Sequence, residues 1–316
     1  MLYPLIFEPI FKERIWGGRR LEELYGKRLP QNAPIGESWE ISDRPGDVSV
    51  IANGPLKGKT LHWLVENHAE ELFGQQRARS DAPYPFPLLV KILDAEEKLS
   101  LQVHPPAKLA AVLGGEPKTE MWYIAHAEPG AELYVGLKRG VTPAEFERKI
   151  KDGSVADCFH RVTVKSGDAM FLPSGRVHAI GAGLVIFEVQ QNSDTTYRVF
   201  DWNRVDKSGK PRDLHVKESL ASIDFQDFEP ALLRADAKVL VEHELFRVSK
   251  IDLRKGESIA LSGQLEIIGM LSGVAQILRS ETQVNISAGE FCLVPACCAN
   301  AQLRAEAGCA FLRIGM

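Results

Sequence analysis

The apolar positions change period along the chain. Between Thr60 and Phe73, Leu61, Leu64, Val65, Ala69 and Leu72 recur at helical spacing and Thr60 supplies an N-cap hydroxyl, so the pattern predicts one amphipathic helix. A second helix is predicted from Thr142 to Lys151. Pro143 sits at its first helical position, Glu145 and Glu147 lie near its N-terminus, and Lys149 and Lys151 lie near its end, as the helix dipole favours. A short third helix runs from Lys108 to Leu113 and stops at Gly114-Gly115. Gln75 to Pro87, with two Arg and three Pro, reads as a loop leading into the apolar strand Leu88-Leu-Val-Lys-Ile-Leu93. From there on nearly every segment reads as strand.

One segment recurs. Ser166-Gly-Asp-Ala-Met-Phe-Leu-Pro-Ser-Gly-Arg-Val-His178 aligns without gaps on Ala288-Gly-Glu-Phe-Cys-Leu-Val-Pro-Ala-Cys-Cys-Ala-Asn300. Glycine, acid and proline keep their offsets, and His178 is replaced by Asn300. The chain therefore reads as two copies of one β unit. The first occupies residues 1–204, a connection runs over 205–238 and includes Lys207-Ser-Gly-Lys-Pro-Arg-Asp213, and the second copy occupies 239–316. Leu265-Glu-Ile-Ile-Gly-Met-Leu271 and Gly273-Val-Ala-Gln-Ile-Leu278 are strands of that second copy. Such a degenerate repeat is expected to cover one flank of the first and extend its core.

Composition narrows the classes. With 316 residues and 45% apolar content, the chain can bury a substantial core in one large or two modest domains. A formal net charge of -4 leaves no basic footprint for nucleic acid, so an anionic substrate needs a local cluster of Lys and Arg. No apolar run reaches membrane-spanning length, and Met-Leu-Tyr-Pro-Leu-Ile-Phe-Glu lacks a basic n-region and a cleavage site. A cytoplasmic protein with no membrane partner is expected. The odd count of five cysteines, four of them within the last 25 residues, fits reduced thiols. Cys297 and Cys298, adjacent on an expected strand, would point to opposite faces and could not readily share a ligand.

Four residues in three segments have the chemistry of metal ligands. Gln102 and His104 are two apart and leave a strand by the same face, while Glu120 and His178 must arrive from neighbouring strands. Two imidazoles, a carboxylate and an amide oxygen suit a borderline ion such as Zn2+, with a position left for water or substrate. They suit Ca2+, or a closed cysteine-rich site, less well. His62 and His68 lie six apart on the first predicted helix and cannot share a ligand there. Together with His126 and His160 they are expected to be structural or surface residues.

The run Gly167 to His178, a Gly-Asp turn, an apolar strand, a Pro turn and then His, resembles the second motif of the cupin barrels. Gln102-Val-His104 and Glu120 take the places of that family's first motif, with Gln departing from the commoner His and a longer gap before the Glu. Gln-Val-His-Pro, Lys-Thr-Glu-Met-Trp-Tyr, Val-His-Ala-Ile-Gly-Ala-Gly183 and Glu188-Val-Gln-Gln-Asn-Ser-Asp-Thr-Thr-Tyr-Arg198 together resemble the type I mannose-6-phosphate isomerases. Within these, the chain is similar to the short bacterial form without the large helical insertion. Arg14-Ile-Trp-Gly-Gly18 and Gly36-Glu-Ser-Trp-Glu40 extend the likeness to the N-terminus, so it covers the chain as far as Arg204.

This resemblance implies a mainly β fold of two cupin (jelly-roll) barrels with a few short helices. It also implies one Zn2+ per chain on His104, Glu120, His178 and Gln102. The implied reaction interconverts mannose 6-phosphate and fructose 6-phosphate by proton transfer through an enediol-like state. Arg198 takes the family's catalytic position, where a permanently charged guanidinium can fork across two vicinal oxygens. Lys118 and Glu188 are the acid and base candidates, and Ser100, Trp16 and Asp194 are the substrate-binding or orienting ones. An isomerase of another aldose phosphate is the neighbouring alternative. A non-catalytic metal- or sugar-binding cupin is disfavoured by the retained Lys118, Glu188 and Arg198, and an Fe2+ oxygenase by the resemblance itself.

Overall fold

The computed structural model describes residues 1–75, 85–205, 209–233 and 238–316. Strands dominate, and they form two stacked pairs of sheets. In the first pair, a six-stranded sheet contains Ala169–Leu172, Glu120–Ala127, Leu184–Gln191, Leu88–Ala95, Ile10–Gly18 and Ile35–Ile41, in that order. Facing it is a five-stranded sheet of Phe159–Thr163, Glu132–Leu137, His178–Ile180, Leu101–Val103 and Tyr197–Phe200. Trp122, Ile124 and Ile186 from one sheet meet Leu133, Val135 and Ile180 from the other in a single apolar cluster.

The second pair repeats this arrangement over four strands of each sheet. Phe291–Val294, Glu266–Ser272, Cys309–Gly315 and Arg247–Leu253 run in the same order as the first four strands of the larger sheet. Thr282–Ser287, Val274–Arg279, Gln302–Ala305 and Ser258–Ala260 do the same for the smaller one. The turn chemistry of the repeat is also kept. Lys165 N donates to Asp168 Oδ2 at 2.8 Å, and Ser287 N to Glu290 Oε2 at 2.7 Å. The N-terminal strand Leu5–Ile6 pairs with Phe291–Val294, so the chain starts on the second unit's sheet before entering the first.

The two larger sheets lie back to back. Val90, Ile92, Met121, Tyr123, Phe187 and Val189 on one side, and Val248, Ile267, Phe291, Leu293, Leu312 and Ile314 on the other, belong to one cluster that also takes in Leu61, Leu64 and Leu72. Strands buried on both faces carry no alternation, and Leu88–Ala95 is apolar almost throughout for that reason.

Helices follow the predicted faces with shifted bounds. The expected helix from Thr60 to Phe73 is two, Leu61–Asn67 and Ala69–Phe73, broken where His68 leaves the helical region at φ -136°. The face survives the break, because Leu61, Leu64, Val65 and Leu72 are all buried. Thr60 caps it by accepting from Trp63 N at 3.1 Å. The second expected helix is Pro143–Asp152, capped by Thr142 and ended by Gly153 in the left-handed region. The third is a single turn, Ala107–Ala110. Of the expected loop from Gln75 to Pro87, residues 76–84 lie outside the described residues, as do 206–208 and 234–237 of the connection. The connection adds a helix, Val216–Ser222, that was not expected.

The strands Ile10–Gly18 and Ile35–Ile41 were not expected either. The first is Ile-Phe-Lys-Glu-Arg-Ile-Trp-Gly-Gly, and Glu13 and Arg14 within it line a cavity rather than a core, which removes the alternation that marks a strand. Gly17 faces Gly36 so closely that a Cβ on Gly17 would stand 2.3 Å from Gly36 N. Two glycines back to back let these strands close and fix Trp16 above the inner face. No described helix is long and apolar enough to cross a membrane.

Candidate active site

The mouth of the first pair of sheets gathers the candidate ligands. Leu101–Val103 and His178–Ile180 pair with Gln102 opposite His178, and His104 follows immediately after the first of these strands. Glu120 opens its strand on the facing sheet. One ligand atom each from His104, Glu120 and His178 lies within 4.8 Å of the others, and all three residues are buried.

Hydrogen bonds fix how these groups present themselves. His104 Nδ1 lies 2.8 Å from the Thr195 carbonyl, and His178 Nδ1 lies 2.9 Å from the Arg176 carbonyl. A carbonyl only accepts, so each Nδ1 carries the hydrogen and each Nε2 turns a lone pair to the centre. Burial pushes the His178 pKa down to about 3 and lowers that of His104, so both rings are neutral at pH 7. Glu120 Oε1 stands 3.3 Å from His178 Nε2 and is buried without a hydrogen-bond partner. Burial opposes the Glu120 charge, but Lys118 outweighs it and holds the carboxyl well below its usual range. The Gln102 amide nitrogen is 3.4 Å from His178 Nε2, close enough that rotation of the amide would bring its oxygen inward. Two lone pairs, an unpartnered buried carboxylate oxygen and an adjacent amide are the donor set of a borderline divalent ion.

A ring of charges surrounds this cluster. Lys118 Nζ lies 2.5 Å from Glu120 Oε2, 3.3 Å from His104 Nε2 and 3.9 Å from Glu188 Oε1. Burial works against the Lys118 ammonium, but Glu120 and Glu188 together raise its pKa above the ordinary value. Glu188 is pushed the other way: burial raises its pKa despite Lys118 and Lys91, and Trp122 Nε1 donates to it at 2.9 Å. Lys91 sits 3.6 Å from both Glu188 and Glu37. Glu37 is fixed by Arg14 Nε at 2.7 Å and Trp39 Nε1 at 2.6 Å. Lys91 and Arg14 overcome its burial and bring its pKa down to about 2.

A cavity of about 470 Å³ opens above these groups. Trp16, Ser100, Lys118, Glu188, Asp194 and Arg198 all line it. Arg198 makes no hydrogen bond or ion pair with Asp194 or Asp201 among the described residues. It donates from Nη1 to the Asp213 carbonyl at 2.9 Å, and its Nε is buried without a partner. Asp201 is held instead by Arg204 and Arg212. Asp194 does not orient Arg198 directly, and its charge acts on Lys118.

Lys91 and Glu37 were not singled out from the sequence. The signal for Lys91 was present: one lysine inside Leu-Leu-Val-Lys-Ile-Leu, whose other side chains are all apolar, needs a buried partner. Glu37 lies in a segment quoted above only for its family likeness. His62 and His68 pair with Asp43 and Glu71 at 2.9 Å each, away from the cluster.

Comparison with known proteins gives the chain's family. Residues 5–116 match the family model described as phosphomannose isomerase type I, catalytic domain. The chain is 36% identical over 306 residues to the probable mannose-6-phosphate isomerase GmuF of Bacillus subtilis (strain 168), covering 94% of each. It also resembles the crystal structure of the mannose 6-phosphate isomerase from Bacillus subtilis, with a TM-score of 0.88, 31% identity and complete coverage of both chains. A zinc-bound mannose 6-phosphate isomerase shares the fold at a TM-score of 0.80 and 17% identity, covering 99% of both chains.

Proposed function

The chain belongs to the type I phosphomannose isomerase family, and from that premise we propose how its residues divide the work. The protein is an aldose-ketose isomerase that interconverts mannose 6-phosphate and fructose 6-phosphate. One observation carries the assignment of roles: a buried acid and a buried ammonium, Glu188 and Lys118, line the cavity together with Gln102, and Lys118 reaches back to Glu120 and His104 of the ligand cluster.

His104, Glu120 and His178, with the Gln102 oxygen turned inward, would hold one Zn2+. When bound, that ion supplies Lewis acidity to the C1 and C2 oxygens of the open-chain sugar. Glu188 takes the C2 proton and returns it to C1, a role its raised pKa and fixed orientation on Trp122 suit. Lys118 stays protonated and donates to a sugar oxygen as the carbonyl moves between C1 and C2. Arg198, with a buried N–H to spare, faces the negative charge of the enediolate. Arg14, Arg198 and Arg212 concentrate positive charge at the same cavity, which answers the need of a chain of net charge -4 for a local anion site. Ser100, Trp16 and Asp194 shape the sugar's bed. A free small-molecule substrate and five unpaired cysteines accord with a cytoplasmic enzyme without nucleic-acid or membrane partners.

The test is a coupled assay on mannose 6-phosphate, run before chelation with EDTA, after it, and after zinc is restored. Activity lost on chelation and recovered with zinc is the expected result. A folded, zinc-loaded sample that turns over another aldose phosphate but not mannose 6-phosphate would overturn the substrate.

A further inference from the structure

Cys297 and Cys298 do not lie on a strand, and the expectation that they point apart is corrected. The strand Phe291–Val294 ends before Pro295, and the chain turns there, with Cys298 N donating to the Pro295 carbonyl at 2.9 Å. In that turn both thiols aim at one acceptor: Cys297 Sγ and Cys298 Sγ are each 3.8 Å from the Leu2 carbonyl oxygen. Arg279 closes the site, with Nη1 3.4 Å from Cys298 Sγ and Nη2 donating to the Cys297 carbonyl at 2.7 Å. Cys297 is partly exposed and Cys298 is buried behind it. The remaining cysteines, Cys158, Cys292 and Cys309, are all buried. Burial raises their pKa values, whereas the Cys298 thiol and the Arg279 charge draw that of Cys297 down to about 7.

We propose that Cys297 and Cys298 form a peroxide-reactive vicinal dithiol, in which Cys297 is the attacking sulfur and Cys298 the resolving one. The Cys297 thiolate attacks hydrogen peroxide, forming an S–O bond as the O–O bond breaks. Its sulfur is oxidised by two electrons to a sulfenic acid, and the displaced hydroxide takes up a proton to leave as water. Cys298 then gives up its proton and displaces the sulfenic oxygen, which leaves as a second water while the S–S bond forms. The net reaction consumes one peroxide and two thiols. Arg279 favours the first step as a cation beside the reacting sulfurs. The convergence of both sulfurs on one oxygen gives the second step its geometry.

The turn that would close is a junction. Cys297 N donates to the Glu71 carbonyl at 2.9 Å and Ala296 N to the Leu72 carbonyl at 3.0 Å. Glu71 in turn accepts from Leu2 N at 2.7 Å, and Arg279 Nη1 reaches the Leu2 carbonyl at 2.5 Å. Oxidation would therefore be felt by the N-terminal residues and the helix Ala69–Phe73, none of which line the catalytic cavity.

The experiment exposes the full zinc-loaded chain to equimolar hydrogen peroxide at neutral pH, then counts thiols and maps the peptide by mass spectrometry. The expected result is the loss of two thiols and of two hydrogens from the peptide holding Cys297 and Cys298. Dithiothreitol should restore both, and the pair should react at least about tenfold faster than the other three cysteines. Cys298→Ser should trap a sulfenic acid that dimedone labels, and Cys297→Ser should leave Cys298 reduced. Thiols that stay free, oxidation of Cys297 straight to sulfinic acid in the unaltered chain, or linkage only between molecules would each overturn the proposal.

Discussion

The two pairs of sheets have the same strand order and nearly the same register, but their mouths have opposite chemistry. Leu172 pairs with Glu120 in the first, and Val294 pairs with Glu266 at the matching place in the second, so the ligand carboxylate has a direct counterpart. Following the same registers, Glu188 corresponds to Arg313 and Lys91 to Ser249. In the second mouth Glu266 is 2% exposed and accepts from Ser262 N at 2.6 Å and Ser262 Oγ at 2.9 Å, with Arg313 Nε on its other oxygen. Arg313 thus serves Glu266 as Lys118 serves Glu120, and Ser262 fills the second carboxylate oxygen, the one that the first mouth leaves open on Glu120. No histidine stands in the place of His104: the residues between Ser258–Ala260 and Glu266–Ser272 are Leu-Ser-Gly-Gln-Leu. Sixteen residues separate Leu101–Val103 from Glu120–Ala127, and only five separate Ser258–Ala260 from Glu266–Ser272. The second mouth thus differs from the first by a shorter loop and by a serine on the carboxylate oxygen, while the strands that frame it are the same.

The largest effect comes from giving the first mouth the residue that the second carries. His178→Asn removes an Nε2 lone pair and should lower metal affinity at least about a hundredfold, with isomerase activity falling alongside it. Metal analysis of the purified variant checks this, and a full zinc complement would break the comparison. Arg198→Ala separates chemistry from metal binding. Turnover should fall about a hundredfold or more while zinc content stays intact, as for loss of a preorganised donor to a developing charge. Near-normal turnover would remove Arg198 from the catalytic set.

How much of this was legible beforehand follows from where each signal lives. The gapless repeat between Ser166 and His178 was visible because a Gly turn, an acid that caps it and a Pro turn are local features. The four ligand candidates were visible because period two places Gln102 and His104 on one face. What stayed hidden depended on tertiary partners. The strand Ile10–Gly18 was not predicted because a strand that lines a cavity, as at Glu13 and Arg14, is polar where a core strand is apolar. Cys297 and Cys298 read as strand because apolar neighbours continue past Pro295, although the hydrogen bonding does not. The guanidinium at Arg313 could not be matched to Glu188 from the sequence, since that match needs the register of two strand pairs.

Arg313→Met tests the second mouth without touching the first. It leaves Glu266 buried with only Ser262 for company, and breaking a pair of this kind costs about 2–4 kcal/mol, reduced from the fully buried case because Arg313 is 23% exposed. The expected result is a lower unfolding midpoint with turnover per folded molecule unchanged. Adding Glu266→Gln should recover most of the loss, because no charge is then left uncompensated. If the single variant lost zinc or turnover, the second unit would be coupled to the active site and not merely a flank.

The smallest expected effect concerns a layer that only the first unit has. The helix Pro143–Asp152 lies over the outer face of the five-stranded sheet, where Phe146 is fully buried and packs 6.0 Å from Phe159 and 5.7 Å from Phe225. The matching strands of the second unit carry polar outward residues instead: Gln283, Asn285, Gln302 and Arg304 are exposed. Thr142 holds the helix start by accepting from Glu145 N at 3.2 Å. Thr142→Ala should therefore destabilise the protein by about 1 kcal/mol, the usual cost of losing an N-cap. Metal content and turnover at moderate temperature should not change, because the ligands sit on the opposite face of that sheet. Hydrogen exchange would locate the loss: faster exchange confined to 142–152 is expected. Exchange that rises equally through Leu101–Val103 and His178–Ile180 would show instead that the helix holds the ligand strands in place.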